Sequence, residues 1–167
     1  MDLPRRLAPV ALAPALLALA ACGFTPLYAT PGVSSGLSSI QVVAPDGRVG
    51  FLLQEDLDDL LAHDKDAKAQ WRLDFTVVQK RDPRGLTVSD YAQRYQVGIT
   101  VAYTLTNLGT GEVIHKNTVI SEVAYDAAND PYAGIAARED TQKRAAADAA
   151  RKIEVDLLAF MARRAGK

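Results

Sequence analysis

Apolar and polar positions alternate along two stretches of this chain and recur every three or four residues along two others, so the changes of period sketch the fold. From Trp71, the residues Trp71, Leu73, Phe75 and Val77 alternate against Arg72, Asp74 and Thr76, which predicts a half-buried strand. The longest alternation runs from Tyr91 to Leu105. Tyr91, Tyr95, Val97, Ile99, Val101, Tyr103 and Leu105 fall on one face, and Arg94, Gln96, Thr100 and Thr104 on the other. Antiparallel sheets with one solvated face produce this pattern. Gln79 to Gly85 reads as a loop joining these two strands, Asn107 to Gly111 as a glycine-bearing hairpin turn, and Val113 to Tyr125 as a return strand with less clean alternation.

The helical period frames the strands. After a short strand Ile40–Val43 and a turn at Pro45-Asp46-Gly47, the residues Val49, Leu52, Leu53, Leu57, Leu60 and Leu61 form one apolar stripe, with Gln54, Glu55, Asp58 and Asp59 facing water. His63-Asp64-Lys65-Asp66 closes that helix in a charged loop. Asn129-Asp130-Pro131 opens a long alanine-rich helix, Asp130 capping the free amides and Pro131 suiting the first helical position. Its core stripe is Ala146, Ala149, Ile153, Leu157, Phe160 and Met161. Arg144, Arg151 and Lys152 face outward, and Arg163, Arg164 and Lys167 suit the negative end of the helix dipole. The order β-α-β-β-β-α predicts an α+β domain: a four-stranded, mainly antiparallel sheet with two helices packed on one face. A long polar tail after the last helix is not expected, since the chain stops soon after it.

The N-terminus changes the picture of where this domain sits. Arg5 and Arg6 precede a short apolar run interrupted by Pro9 and Pro14, and the run closes on Leu19-Ala20-Ala21-Cys22. It is shorter than the roughly 20 apolar residues that span a bilayer. A basic start, a short apolar middle and small residues before the cut are the marks of a cleaved leader. Leu19, Ala20 and Ala21 form the cleavage motif, and Cys22 supplies a thiol for acylation. Cys22 is the only cysteine, so no disulfide forms within the chain. More than one acyl chain is needed for stable attachment, so a triacylated Cys22 would tether the protein permanently. The expected organisation is a lipoprotein signal peptide over 1–21, a lipidated flexible tether over 22–37 and a single domain over 38–167.

Charge and candidate chemistry narrow the function by exclusion. The formal net charge of −1 gives no electrostatic reason to expect a nucleic-acid partner. Gly32-Val33-Ser34-Ser35-Gly36 matches the G-x-S-x-G pattern of hydrolase nucleophiles, but such an elbow needs a buried strand before the serine, and Thr30-Pro31 stands there instead. Gly109-Thr110-Gly111 lacks the third glycine of a phosphate loop. His63 and His115 have no partner at metal-ligand spacing and are expected at the surface. The carboxylates Glu55, Asp56, Asp58, Asp59, Glu139 and Asp140 sit at helical spacings that a solvated face explains. No catalytic residue, metal site or cofactor is expected.

Three segments resemble the LPS-assembly lipoproteins, the LptE family of the lipopolysaccharide transport machinery. They are the start Cys22-Gly23-Phe24-Thr25-Pro26-Leu27-Tyr28, the strand Tyr91-Ala92-Gln93-Arg94-Tyr95-Gln96-Val97, and Asn129-Asp130-Pro131 leading into the alanine-rich helix. The resemblance implies a non-enzymatic outer-membrane lipoprotein that plugs the large β-barrel lipopolysaccharide translocon (an LptD-like subunit), assists its assembly and takes part in lipopolysaccharide insertion. Its domain would sit on the periplasmic side or inside the barrel lumen. Large outer-membrane barrels have polar interiors, which suits a small domain with a polar exterior.

Two surfaces become candidates under that expectation. Arg94, Gln96, Thr100 and Thr104, on the solvated face of the central strand, are the candidate partner surface. Lys80, Arg81 and Arg84, in the expected loop, are the candidate contact to lipopolysaccharide phosphates, to which cationic side chains make charge-assisted hydrogen bonds. The competing functions are a lipid-anchored solute- or lipid-binding module of another envelope transporter and a lipid-anchored hydrolase.

Overall fold

The computed structural model describes residues 33–64, 68–86, 92–127 and 130–165. The elements in chain order are α1 (Val33–Ser38), β1 (Ile40–Val43), α2 (Arg48–Leu60), β2 (Trp71–Leu86), β3 (Ala92–Asn107), β4 (Val113–Asp126) and α3 (Pro131–Ala165). The strands form one sheet in the order β1-β2-β3-β4. β1 runs parallel to β2, while β2–β3 and β3–β4 are antiparallel hairpins. This is the α+β architecture that the pattern predicts, with α1 in addition.

α1 lies within the stretch expected to be tether. Residues 33–37 read as linker because Ser34, Ser35 and Gly36 favour turns and extended backbone, and a six-residue helix is not stable alone. Tertiary contact holds it instead: Leu37 is 3% exposed and Gly36 lies against Met161 of α3. The folded unit thus begins before residue 38, and residues 22–32 of the expected tether lie outside the described residues. Ser34 of the G-x-S-x-G match is an exposed residue of this short helix.

α2 carries the predicted stripe, with Leu53, Leu57 and Leu61 fully buried. Its two ends are tightly specified. At the start Gly50 passes so close to the turn that a β-carbon there would overlap the Pro45 carbonyl oxygen. At the end the Ala62 amide donates to Asp59 and the His63 amide to Asp58, a Schellman closure. That closure puts Ala62 at φ 49°, in the left-handed region.

α3 begins as expected, the Asp130 carboxylate accepting the Tyr132 amide at 2.9 Å. Ala145, Ala146, Ala149 and Ala150 are fully buried, and their small side chains let α3 approach α2 and the sheet closely. Ile153, Leu157 and Met161 continue the stripe. The core is one layer between the helices and the odd-numbered face of the sheet, where Leu73, Val97, Ile99, Val101 and Leu105 are fully buried.

Candidate functional site

The register fixes what the other face of the sheet displays. Thr76 lies opposite Ala102, Val78 opposite Thr100 and Lys80 opposite Gly98, while β4 adds Thr118 and Ile120 opposite Ala102 and Thr100. No described helix covers this face. Val78 is 56% and Ile120 57% exposed, and Thr76, Ala102 and Thr118 are open. A shallow cleft of about 540 Å³ runs along it, lined by Asp74, Thr76, Ala102, Thr104, Lys116 and Thr118. Of the candidate partner residues, Arg94, Gln96, Thr100 and Thr104 all fall on this face, since they are even-numbered positions of β3. From Arg94 to Thr104 the strand advances about 33 Å at the usual rise per residue, so they form a row along the sheet and not a pocket.

The candidate lipopolysaccharide residues are not in a loop. Lys80, Arg81 and Arg84 belong to β2, which pairs with β3 as far as Leu86 opposite Ala92. The polar run with Pro83 and Gly85 imitates a loop because β1 covers only Trp71–Asp74. Beyond Asp74 β2 is an edge strand, where a proline's missing donor costs no ladder bond. The strand geometry splits the cations between faces. Lys80 and Arg84 join the open face, where Arg84 Nε donates to Gln96 Oε1 at 2.9 Å and lies opposite Arg94. Arg94 pairs with Asp126 at 2.9 Å, both side chains exposed. Arg81 turns to the helix-side face, its guanidinium 4.5 Å over the Tyr95 ring, which stacks on Tyr125 at 5.5 Å. The two candidate surfaces therefore merge into one: Lys80, Arg84, Arg94 and Gln96 at the far end of the hairpin, leading into the threonine row. Tyr91 and the lipidation residues Leu19, Ala20, Ala21 and Cys22 lie outside the described residues.

One polar cluster has no counterpart in the sequence reading. His115, expected at the surface, points to the helix side with its side chain 16% exposed. Its Nε2 lies 2.5 Å from Asp156 Oδ2, its ring stacks on Phe160 at 4.6 Å, and the Tyr103 hydroxyl donates to the same carboxylate oxygen at 2.5 Å. Burial pushes the Asp156 carboxyl up, but hydrogen bonds from Tyr103, His115 and Asn117 outweigh it and hold the group below the usual carboxylate range. Burial, then the bond and charge of Asp156, push the Tyr103 phenol far above its ordinary value. The signal was present: Asp156 interrupts the apolar stripe between Ile153, Leu157 and Phe160, where a charge needs a partner. A carboxylate held ionised by a phenol and an imidazole, with no nucleophile beside them, is a structural tie between sheet and helix.

Among the described residues no group of three or more His, Cys, Asp or Glu could hold a metal, and no helix is long and apolar enough to cross a membrane.

Similarity to known proteins agrees with this architecture. No curated protein sequence matches the chain. Among solved structures, a lipoprotein candidate from Caulobacter crescentus CB15 superposes with a TM-score of 0.70 at 44% identity, over 80% of this chain and 97% of that one. Two more distant structures share the fold. A minor lipoprotein from Acinetobacter baumannii gives a TM-score of 0.54 at 17% identity, covering 73% and 90% of the two chains. The rare lipoprotein B from Shewanella oneidensis gives 0.54 at 18%, covering 75% and 94%. The LptE family, described as lipopolysaccharide-assembly, matches residues 37–157. The chain thus belongs to the LptE family, a non-enzymatic family of lipopolysaccharide-assembly lipoproteins.

Proposed function

We propose that this protein is an outer-membrane lipoprotein, anchored through acylated Cys22, that plugs the β-barrel lipopolysaccharide translocon and assists its assembly. The observation that carries the reading is the uncovered sheet face with its row Arg94, Gln96, Thr100 and Thr104. A folded domain that leaves one sheet face open and mostly polar, with Val78 and Ile120 exposed among threonines and charges, has a surface suited to the polar lumen of a large barrel. Lys80 and Arg84 at the hairpin end of that face are the side chains for the phosphates of lipopolysaccharide.

Affinity purification of the protein from detergent-solubilised outer membrane, followed by mass spectrometry, tests the reading. A stoichiometric large β-barrel subunit is the expected result. An inner-membrane transporter in its place identifies a lipid-binding module of another system, and no constant partner removes the plug. Cys22→Ala tests the anchor separately: an uncleaved or soluble precursor is expected, and normal processing with membrane retention overturns the lipoprotein assignment.

A further inference from the structure

The end of the domain opposite the basic hairpin has its own character. Three clefts meet there. One, of about 240 Å³, is lined by Ser35, Gly36, Trp71, Met161 and Arg164, and a second, of about 350 Å³, by Lys68, Trp71 and Leu108. The third, of about 570 Å³, is lined by Val113, Phe160, Arg163 and Arg164. Trp71 stands between the first two, with the Arg164 guanidinium 5.2 Å over its ring. Lys68, Arg163 and Arg164 are exposed, as are Leu108 at 44% and Val113 at 52%, and Glu112 is the one acidic side chain lining the three clefts. An aromatic ring, exposed aliphatics and a surplus of cations are the mixture that suits a lipid headgroup layer, where apolar groups enter the interface and cations meet phosphates.

The attachment of the chain selects the occupant of this end. α1 enters here: Gly36 lies against Met161, and the Gln70 and Trp71 amides both donate to the Ser39 carbonyl. Val33 is the eleventh residue after Cys22, so even a fully extended tether reaches at most about 40 Å. α3 alone separates Tyr132 from Arg164 by about 50 Å at the helical rise per residue. The near end can therefore rest on the membrane that holds Cys22 while the hairpin end points away from it.

We propose that in the free lipoprotein, before the barrel takes up the domain, this end, with Lys68, Trp71, Leu108, Val113, Arg163 and Arg164, docks on the phosphate-bearing lipid surface to which the protein is tethered, and so sets the polarity of the domain. The proposal rests on the lipoprotein reading of Cys22. It gives the hairpin cations a direction: they are held at the far limit of the molecule.

Trp71 is the only tryptophan of the chain, so its emission reports this face directly. The experiment uses the full acylated protein in vesicles of phosphatidylcholine and phosphatidylglycerol, with and without a spin-labelled lipid quencher. Strong quenching of Trp71 is expected, with loss of most of it in Lys68→Glu/Arg163→Glu and weakening as salt rises. A Trp71→Phe/Tyr132→Trp variant moves the probe to the far end and should show little quenching. Unquenched Trp71 in protein that sediments with the vesicles overturns the docking while leaving the anchor intact. Equal quenching at position 132 overturns the polarity. Protein that does not sediment with the vesicles overturns the anchor, and the docking with it.

Discussion

His115 on β4 and Asp156 on α3 meet at 2.5 Å, a short polar tie between the sheet and the long helix. Tyr103 of β3 shares the same carboxylate oxygen, so one side chain on α3 holds two strands. Asp156→Ala should remove the shared acceptor of the Tyr103 hydroxyl and the His115 ring, a loss of roughly 1–3 kcal/mol in all. Urea unfolding measures the loss. The pH dependence carries a definite sign. Because the folded carboxyl titrates below its ordinary value of 3.8, its contribution is present above that value and is lost as pH falls through the lower folded one. Tyr103, raised above 10.0, contributes below that value and loses its contribution as pH rises toward the folded one. Thermal melts should thus show a shallower acid branch in Asp156→Asn and a shallower alkaline branch in Tyr103→Phe. Curves parallel to wild type would exclude the cluster as a stabilising tie.

The two ends of α2 make opposite predictions for the same pair of residue types. Ala62 occupies the left-handed position of the Schellman closure, which costs an L-residue about 1 kcal/mol, so Ala62→Gly should stabilise the domain by up to that amount. Gly50 lies in the first turn of the helix, where alanine is favoured over glycine by propensity, by up to about 1 kcal/mol. Here the added β-carbon overlaps the backbone carbonyl of Pro45, and displacing the turn outweighs propensity, for a net loss of about 1–3 kcal/mol. Chemical denaturation of both variants decides it, and a stabilised Gly50→Ala would show that the turn yields freely.

The sequence was most legible where one physical pattern acted alone. The alternation along β3 survives because one face packs on helices and the other meets water, and the stripe of α2 for the same reason. It was least legible where tertiary context sets conformation. α1 forms only because Leu37 has a core to enter, and the second half of β2 pairs as a strand although Pro83, Gly85 and the four charges Lys80, Arg81, Asp82 and Arg84 erase its alternation. In a loop Lys80, Arg81 and Arg84 would form one cluster. The register separates them by face and brings two of them beside Arg94 and Gln96. His115 reads as a surface residue in the sequence because its partner Asp156 lies far along the chain, and sequence spacing gives no view of such a pair.

Arg94 offers the sharpest test of the open face as the partner surface. Its pair with Asp126 is exposed on both sides, so reversal in Arg94→Glu should change stability by less than about 1 kcal/mol. It nevertheless places a negative charge in the row that extends through Gln96 to Thr100 and Thr104. Recovery of the barrel subunit in the affinity purification should fall, with the melting curve little changed. Undiminished recovery would remove this face from the interface.

The hairpin cations separate charge from packing. Lys80 and Arg84 lie on the open face, whereas Arg81 covers Tyr95, a cation–π contact that contributes about 0.5–1 kcal/mol at an exposed site. Lys80→Glu/Arg84→Glu should therefore lower affinity for lipopolysaccharide by about tenfold or more, since one charge-assisted hydrogen bond is worth about 1.5 kcal/mol. Unfolding should stay close to wild type. Arg81→Glu should do the reverse, losing a fraction of a kcal/mol of stability with a smaller effect on binding. Titration of each purified variant with lipopolysaccharide at low and high salt separates the two effects, because contacts between exposed charges weaken as salt rises. If the double variant binds as wild type does at low salt, the hairpin is not the phosphate contact, and lipopolysaccharide must be met elsewhere on the domain or by the barrel.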